Sequence, residues 1–355
     1  NMIASSGFPV TKVERSKKNE LPVNNIPFGK YFTDYMLEAD CENGVWKNIE
    51  IKPYQPLVLS PSLAALHYGQ AIFEGVKAYK HSDGEAYIFR PRDNFRRFNI
   101  SAKRMQMQPV TEDIFVEGMR QLIALDKGWI PSKPDHALYI RPFMFATDEM
   151  IGVKPSDTYK FMIILSPTGP YYAEPMRIYV EEEYTRAARG GVGFTKVAGN
   201  YAASLLPAAA ARSKGYDQVL WTDEVEHKYA EEIGTMNVFF VIGDKVVTPD
   251  LSRGTILAGV TRDSAITLLR DMGVTVEETR VNLDDVVAAY RAGELKEVFG
   301  TGTAATISEI KELHYKDAVM KFDPKTWKIA PSIKKRLDDI REGRTPDPYG
   351  WLLKV

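Results

Sequence analysis

Short apolar runs alternate with amphipathic stretches along the chain from Ala86 onward, without an internal repeat or a block of like charges. This pattern is typical of a mixed α and β protein. Apolar side chains recur at helical spacing after Thr111, which can cap a helix, and Gly128 can supply a left-handed end. We therefore predict a helix between these two residues.

The segment at residues 137–141 predicts a strand with two different faces. Because side chains along a strand point alternately to opposite sides, Leu138 and Ile140 share one face. Tyr139 and Arg141 share the other face. The first face is suited to a core, and the second carries polar groups that a binding surface could use.

Proline and glycine are dense in residues 167–175 and interrupt both periodicities. Strand-like segments lie on either side of this interruption. We therefore predict a small α/β domain over residues 1–166, a linker over residues 167–177 and a larger domain over residues 178–355.

The second half also mixes helices with antiparallel strands. A helix is predicted to begin at Asn200 or Ser204 and to end at Gly215. Two apolar strands further on are separated by Gly243 and Asp244 alone, which is a signal for a β-hairpin with a two-residue loop. The predicted class is therefore mixed α/β or α+β.

Composition and charge exclude several classes of function. The 46 Lys+Arg and 47 Asp+Glu residues leave a formal net charge of -1, so we expect no nucleic-acid partner. Apolar runs are far shorter than the roughly 20 residues that span a bilayer, and residues 1–7 lack the blocks of a signal peptide. We therefore expect a cytoplasmic protein without a membrane segment. With one cysteine, Cys41, and scattered histidines, we expect no metal centre.

One glycine-rich segment suggests a nucleotide site. Residues 300–305 follow a strand-like run and fit the dinucleotide pattern G-x-G-x-x-A, with Asp323 near the distance of a ribose-binding acid. Residues 307–315 are poorly suited to the crossover helix that this pattern requires. A nicotinamide-dependent oxidoreductase therefore remains a remote alternative, and a plain Gly/Thr turn is the commoner interpretation.

Lys196 lies alone among glycines and small residues, with few charges nearby in the sequence. In a close-packed setting an amine loses hydration, its pKa falls and it can form a Schiff base as a nucleophile. The alternative is a solvated surface lysine, which describes most lysines.

Several segments, taken in order along almost the whole chain, resemble the branched-chain-amino-acid aminotransferases. The three strongest are Lys196-x-x-Gly199-Asn200-Tyr201, Glu232-x-Gly234-Thr235-Met236-Asn237 and Phe299-Gly300-Thr301-Gly302-Thr303-Ala304. Others are Phe28-Gly29-Lys30, Leu66-His67-Tyr68, Phe73-Glu74-Gly75, Leu138-Tyr139-Ile140-Arg141-Pro142 and Leu257-Ala258-Gly259-Val260. One tripeptide would be a weak signal, but the ordered set is a strong one.

The resemblance implies a fold, a cofactor and a reaction. The fold would be the D-amino-acid-aminotransferase type (fold type IV), with two domains and pyridoxal 5'-phosphate (PLP) at their interface. The larger C-terminal domain would bind the cofactor, and the protein would be a homodimer with sites lined from both subunits. The reaction would transfer the amino group reversibly between L-leucine, L-isoleucine or L-valine and 2-oxoglutarate in a ping-pong cycle, giving branched-chain 2-oxo acids and L-glutamate.

The resemblance also assigns cofactor-binding residues. Lys196 would be the catalytic residue and bind PLP as an imine, Glu232 would keep the ring nitrogen protonated, and Tyr201 would hydrogen-bond the phenolic oxygen. The phosphate would be bound by Arg97, Val260, Thr261 and Thr303. By contrast, we expect Glu231 to be solvated and Arg96 to point elsewhere.

Substrate residues follow from the same resemblance. The apolar pocket would include Phe28, Phe73, Tyr139, Tyr171 and Met236. Tyr68 and Arg141 would receive the distal carboxylate of glutamate, and Thr235, with the turn at Thr303 and Ala304, would lie near the substrate α-carboxylate.

Two further enzymes on the same fold stay open from the sequence. A D-amino-acid aminotransferase or an aminodeoxychorismate lyase would keep both Lys196 and Glu232, because a fold alone does not fix function. A PLP-binding protein without turnover is a third possibility. Ala305 and Ser308 stand where some family members carry a Cys-x-x-Cys redox switch, so we expect that regulation to be absent.

Overall fold

A computed structural model describes residues 7–171 and 174–355. The chain divides into two compact units. The signal-peptide expectation concerned residues 1–7, of which residues 1–6 lie outside the described residues. Residues 172 and 173 of the predicted linker lie outside them as well.

The first unit contains the described residues as far as Tyr171, together with Thr195–Ala198 and Asp339–Val355. The second unit contains residues 174–194 and Gly199–Asp338. This division differs from the predicted boundaries, because two segments from the predicted C-terminal domain group with the first unit. The physical reason for the later segment is that it supplies a strand to the first sheet.

The first unit is built on an eight-stranded sheet whose pairs are antiparallel. Its strands are β1 (Tyr35–Glu42), β2 (Val45–Pro53), β3 (Ala71–Phe73), β4 (Val76–Lys80), β5 (Ala86–Phe89), β6 (Ala137–Ala146), β7 (Thr158–Thr168) and β17 (Leu352–Lys354). The order is β17-β5-β4-β6-β7-β1-β2, with β3 also on β6. The strand predicted at residues 137–141 is confirmed as the first half of β6.

The helices of this unit are α1 (Ala64–Tyr68), α2 (Pro91–Arg104) and α3 (Gly118–Leu125). The helix predicted after Thr111 begins as a π-helical turn at Asp113–Glu117 and continues as α3. The predicted end at Gly128 is wrong. The chain tightens into a 3-10 turn at Lys127–Trp129, where Trp129 is buried and its Nε1 donates to Asp34 at 2.9 Å.

The second unit is built on a nine-stranded mixed sheet. Its strands are β8 (Met176–Val180), β9 (Gln218–Thr222), β10 (Ala230–Ile233), β11 (Met236–Ile242), β12 (Lys245–Pro249), β13 (Thr275–Thr279), β14 (Leu295–Gly302), β15 (Thr306–Tyr315) and β16 (Ala318–Lys321). Because β10 pairs with both β9 and β11, six of these strands close into a ring, β10-β9-β8-β15-β14-β11. Its core includes Leu220, Val238, Phe240, Ile310 and Leu313.

The second half of the chain carries α4 (Ala198–Ala203), α5 (Leu205–Ser213), α6 (Val260–Asp271), α7 (Leu283–Arg291) and α8 (Ile329–Arg341). Ser204 is the N-cap of α5, and Gly215 follows the helix with φ +89°, which confirms the second of the two predicted starts and the predicted end. The hairpin of β11 and β12 is also confirmed, with Gly243 at φ +62°. The mixture of helices and strands in both units confirms the predicted fold class.

The dinucleotide interpretation of residues 300–305 is not supported by the fold. β14 runs through Gly302, turns at residues 303–305 and returns as the antiparallel strand β15, so Gly302 is paired with Thr306. A dinucleotide loop would instead open a helix. Among the described residues, no helix has both the length and the apolar character needed to cross a membrane.

The start of α8 depends on a buried carboxylate. Glu297 of β14 is 3% exposed and accepts hydrogen bonds from the main-chain N–H groups of Lys328, Ile329 and Ala330 at 3.1, 2.8 and 3.0 Å. A helix N-terminus leaves such N–H groups without intrahelical partners, and a carboxylate also interacts favourably with the helix dipole.

We expect Glu297→Ala to lower the free energy of unfolding by about 1.5–3 kcal/mol, because it leaves buried donors unsatisfied. Urea denaturation followed by circular dichroism measures this effect. Glu294→Ala, at an exposed position, is the matched control and should change stability by no more than about 0.5 kcal/mol. Equal urea midpoints for Glu297→Ala and Glu294→Ala would contradict the role of Glu297 as the cap of α8.

Candidate active site

Lys196 lies in a short segment that the first unit holds through the main chain. Its N–H donates to Ser101 Oγ on α2 at 3.0 Å, and its carbonyl accepts from the N–H of Phe73 on β3 at 3.2 Å. The side chain is half-buried, with Nζ 4.9 Å from the centre of the Phe73 ring. The backbone of this lysine is therefore fixed, which suits an amine that must meet a reacting carbon at a defined place.

Arg141, on the same face of β6 as Tyr139, lies among aromatic rings from β6 and β3. Arg141 Nη2 donates to Tyr139 Oη at 2.7 Å, and Arg141 Nε donates to the Glu74 carbonyl at 2.9 Å. The guanidinium carbon of Arg141 lies 4.5 Å from the centre of the Phe73 ring, and Phe28 packs edge-on against Tyr139 at 4.8 Å. The predicted shared face of Tyr139 and Arg141 is confirmed. Such a group can bind a carboxylate while its rings contact an apolar side chain.

Arg97, the predicted phosphate ligand, is buried on α2 and paired with Glu74. Its Nε and Nη2 donate to the two carboxylate oxygens of Glu74 at 2.9 and 2.6 Å, and Asn94 Nδ2 donates to the same carboxylate at 2.9 Å. This two-bond pairing fixes the plane of the guanidinium. Arg96 is exposed and donates to Asp93 at 3.0 Å, which confirms the expectation that it points elsewhere.

In the second unit, Glu232 of β10 is 2% exposed and paired with an arginine whose side chain is 8% exposed. Arg186 Nη1 lies 2.7 Å from Glu232 Oε2, and the Leu257 N–H donates to the same oxygen at 3.4 Å. Tyr201 and Thr235 line the same small cleft. A guanidinium pairs with an ionised carboxylate, and that is the form of Glu232 able to hold a protonated ring nitrogen.

The expectation that Glu231 is solvated is wrong. It is 9% exposed, its Oε1 accepts from Thr255 Oγ1 at 2.8 Å, and the same oxygen lies 3.4 Å from Arg253 Nη1. β10 is paired on both sides, and the loop that carries Arg253 and Thr255 covers the side chain. Burial raises the pKa of Glu231 to about 7, although the hydrogen bond from Thr255 opposes this shift.

Three of the predicted phosphate-binding residues lie together in the second unit. α6 begins at Val260, directly after Gly259. There is no room for a larger residue at Gly259, because a Cβ there would lie 2.1 Å from the side-chain amide oxygen of Asn237 on β11. Thr261 Oγ1 donates to the Gly302 carbonyl at 3.2 Å, so the turn that contains Thr303 lies beside the first turn of α6. Helix N-termini attract anions through their first N–H groups and the helix dipole.

Met236, Thr235 and Ala304 lie close to these elements. Met236 begins β11 and packs against β14, where a Cβ on Gly300 or Gly302 would lie 3.1 or 3.2 Å from its side chain. Thr235 is exposed in the cleft beside Glu232, and Ala304 lies in the turn between β14 and β15. The α-carboxylate roles of Thr235 and Ala304 stay predictions.

Two predicted substrate residues, Tyr68 and Tyr171, are exposed. Tyr68, at the end of α1, is 41% exposed and its ring is near His67, and Tyr171 is 54% exposed. Within residues 7–171, neither tyrosine forms a hydrogen bond or a ring contact with Arg141. Their roles in substrate binding also stay predictions.

Sequence reasoning missed Arg186 and the role of Glu74. Arg186 precedes the glycine-rich run by only a few residues, but no spacing rule connects it to Glu232, which is far along the chain. Glu74 stands in one of the matched segments, yet only the structure shows its bonds to Arg97 and Arg141. The sequence did contain one signal for a buried, paired Glu74. It is a charged residue that stands between Phe73 and Gly75 in an apolar, strand-like region, and buried glutamates are usually paired.

Comparison with known proteins assigns the chain to a family of enzymes. Residues 71–313 match the family model described as Amino-transferase class IV. The chain belongs to the class IV aminotransferase family. Enzymes of this class use PLP, which confirms the expected cofactor.

Individual relatives narrow the class further. The chain is 48% identical over 353 residues to branched-chain-amino-acid transaminase 1 of Bacillus subtilis (strain 168), covering 97% of this chain and 99% of that protein. It is 50% identical to a probable branched-chain-amino-acid aminotransferase of Staphylococcus epidermidis (strain ATCC 12228 / FDA PCI 1200), covering 96% of each. The family resemblance inferred from the sequence is thereby confirmed as that of the branched-chain-amino-acid aminotransferases.

Solved structures agree on the fold. The branched-chain amino acid aminotransferase of Escherichia coli matches with a TM-score of 0.73 at 27% identity, covering 90% of this chain and 98% of that one. The T.th. branched-chain amino acid aminotransferase with pyridoxamine 5'-phosphate matches with a TM-score of 0.72 at 26% identity, covering 89% and 97%. The predicted fold type is confirmed.

The donor set of this chain fits PLP. Within the first unit, Lys196 offers an amine on a fixed backbone and Arg97 offers a guanidinium. Within the second unit, Glu232 offers a buried carboxylate paired with a guanidinium, and the start of α6 at Val260 offers main-chain donors for a phosphate. These are the groups that the aldehyde, the ring nitrogen and the phosphate of this cofactor require.

Proposed function

We propose that this protein transfers the amino group reversibly between L-leucine, L-isoleucine or L-valine and 2-oxoglutarate, forming branched-chain 2-oxo acids and L-glutamate. The relatives named above support the branched-chain substrates. The observation that carries the 2-oxoglutarate partner is the Arg141 group, in which the guanidinium lies near the rings of Phe73 and Tyr139 and the Phe28 ring packs against Tyr139.

One pocket must accept both kinds of side chain in turn. The rings of Phe28, Phe73 and Tyr139 can contact a branched aliphatic side chain through apolar surface. Arg141 can bind the distal carboxylate of glutamate, and its hydrogen bonds to Tyr139 and to the Glu74 carbonyl hold the guanidinium in place. A rigid cation at the edge of an apolar pocket therefore serves the second substrate without excluding the first.

The cofactor roles are part of the same proposal. When bound, PLP weakens the Cα–H bond of the substrate by withdrawing electrons and carries the amino group between the two half-reactions. Lys196 binds the cofactor and moves the proton at the substrate Cα as general acid and base. Glu232 holds the proton at the ring nitrogen, and Tyr201 hydrogen-bonds the phenolic oxygen. Arg97, Val260, Thr261 and Thr303 bind the phosphate.

We also propose that the protein is a homodimer. Apolar side chains are exposed in two segments of the first unit, which a hydrogen bond connects, since the N–H of Ala64 at the start of α1 donates to the carbonyl of Asp148 in the loop after β6 at 2.8 Å. They are Val58, Leu59, Leu66, Met150, Ile151 and Val153, which are 41% to 101% exposed. An exposed apolar patch of this kind is typical of a protein interface.

Lys196→Ala should abolish turnover, because one amine both binds the cofactor and transfers the proton. We expect the half-reaction with leucine to slow by about 10⁴-fold or more. Borohydride reduction of the PLP-loaded wild type followed by peptide mapping should attach the cofactor to Lys196. Lys214→Ala, at an exposed position, should behave as wild type. A label on any other lysine would exclude this assignment.

Arg141→Leu should impair the half-reaction with glutamate by about 1.5–3 kcal/mol in transition-state stabilisation, since it removes a charge-assisted hydrogen bond. The half-reaction with leucine should suffer less. Single-turnover absorbance changes measure each half-reaction separately. Arg104→Leu, at an exposed position of α2, is the control.

A second variant tests the same pocket without removing the cation. A Cβ on Gly75 would lie 2.3 Å from Tyr139 Oη, so Gly75→Ala should displace Tyr139 and loosen Arg141. We expect Gly75→Ala, like Arg141→Leu, to slow the half-reaction with glutamate more than the half-reaction with leucine. Equal losses for both substrates in both variants would show that Arg141 is a general structural group.

Leu66→Glu combined with Ile151→Glu should convert the dimer into monomers, because charges would replace the apolar contact. Sedimentation velocity measures the mass of the wild type and the variant. Val225→Glu changes an exposed apolar residue of the second unit and should leave the mass unchanged. A monomeric wild type would contradict the dimer proposal.

A further inference from the structure

The two adjacent carboxylates of β10 are both buried and are connected through one threonine. Thr255 is 2% exposed and makes two different hydrogen bonds. Its hydroxyl donates to Glu231 Oε1 at 2.8 Å, and its carbonyl accepts from Arg186 Nη1 at 3.0 Å. The same Nη1 atom lies 2.7 Å from Glu232 Oε2. A continuous path of polar contacts therefore runs from Glu231 to Glu232 inside the second unit.

Arg186 has a third contact that fixes its plane. Its Nη2 donates to the Gly193 carbonyl at 3.0 Å. A Cβ on Gly193 would lie 2.7 Å from the Thr255 carbonyl oxygen, so the two main-chain segments approach each other closely. The guanidinium is therefore held by two carbonyls and one carboxylate, and its position depends on where Thr255 lies.

The segment that begins at Thr255 also leads to the phosphate-binding region. Two residues on, the Leu257 N–H donates to Glu232 and the Leu257 carbonyl accepts from Asn237 Nδ2 at 2.9 Å. Three residues later α6 begins at Val260. A shift of Thr255 would therefore be passed both to Glu232 and to the first turn of α6.

The charged groups around Glu231 are Arg253, Glu224 and the pair formed by Glu232 and Arg186. Arg253 lies 3.4 Å from Glu231 Oε1 and also pairs with Glu224 at 2.7 Å. The neighbouring pair of Glu232 and Arg186 is joined to it through Thr255. Burial is the main cause that raises the pKa of Glu231 to about 7, the Thr255 hydrogen bond and Arg253 lower it, and the like charges of Glu232 and Glu224 raise it further.

We propose that Glu231 is a positioning residue of the cofactor site, which acts through Thr255 and Arg186 to hold the carboxylate of Glu232 and the segment that leads into α6. The inference rests on the proposed role of Glu232 at the ring nitrogen. The proposed action of Glu231 on the site is indirect, because its hydrogen bond goes to Thr255 and the Thr255 carbonyl in turn accepts from Arg186.

Two physical effects follow from this arrangement. The hydrogen bond to Glu231 anchors the Thr255 side chain, and without it the carbonyl that orients Arg186 is less constrained. In addition, an ionised Glu231 makes the electrostatic potential at Glu232 more negative, which strengthens the hold of Glu232 on a nearby proton. The second effect is absent below the pKa of Glu231 and complete above it.

The test uses the PLP-loaded protein and four single variants with one double variant. Thr255→Val removes the hydroxyl at constant shape, and Glu231→Gln removes the charge but keeps an acceptor for Thr255. Glu232→Gln is the reference for the site itself. Glu226→Gln, at an exposed position of the same unit, is the matched control. The Glu231→Gln, Thr255→Val double variant completes the cycle.

Cofactor loss after dilution is followed by visible absorbance, and the absorption spectrum is titrated with pH. Thr255→Val should lose the cofactor about tenfold faster than wild type, and the double variant should be no worse than its more damaged parent. The wild-type spectrum should contain a pH-dependent component near pH 7 that is absent in Glu231→Gln. A merely structural role would change thermal stability without removing this component.

Additive effects of Glu231→Gln and Thr255→Val on cofactor loss would overturn the inference, as would an unchanged pH titration in Glu231→Gln. If Glu232→Gln alters the spectrum while the Glu231 and Thr255 variants match Glu226→Gln, only the inference fails. If Glu232→Gln itself matches the control, the proposed role of Glu232 fails, and the inference that depends on it fails as well.

Discussion

Glu74 and Glu232 are 0% and 2% exposed, and each is paired with an arginine that is itself nearly buried, Arg97 and Arg186. Removing an ion pair from water is costly, and the loss of one partner from a buried pair typically costs about 3–5 kcal/mol. The surrounding backbone must therefore hold both members of each pair in place. The main-chain bonds around the two pairs, including those of Arg186 to Gly193 and Thr255, are the means by which it does so.

This constraint fixes a guanidinium in the first unit and a carboxylate in the second unit. In the first unit, one residue serves two arginines, since the Glu74 carboxylate pairs with Arg97 and its carbonyl accepts from Arg141. A phosphate ligand and a substrate ligand would thus share one anchor. In the second unit, the loop from Arg253 to Leu257 connects Glu231 with Glu232. Electrostatic preorganisation of this kind is an effective source of catalytic rate enhancement.

The sequence predicted what depends on local pattern and on matched motifs. The shared face of Tyr139 and Arg141 follows from strand alternation, and the end of α5 near Gly215 follows from glycine's tolerance of positive φ. Contacts between distant segments were not predictable in this way. The burial of Glu231 depends on a loop that returns over β10, and the early end of α3 depends on the burial of Trp129 against Asp34.

The turn at residues 303–305 shows a different limit. Glycine and threonine in that pattern suit both a dinucleotide loop and a hairpin turn, and only the strand that follows distinguishes them. Similarly, nothing in the local pattern of Arg186 indicates its partner, because its bond to Glu232 joins residues that are distant in the chain. The motifs identified the predicted cofactor residues, whereas the groups that orient them came from the structure.

The strand β17 has a consequence for the order in which the protein can fold during synthesis. It pairs with β5 at the edge of the first sheet, where Arg90 N–H also donates to the Trp351 carbonyl at 2.7 Å and Phe89 packs against the Trp351 ring. The ribosome makes these residues only after the whole of the second unit. The first unit therefore begins to form first but obtains its edge strand last, and until then the hydrogen-bonding groups of β5 are exposed to other chains.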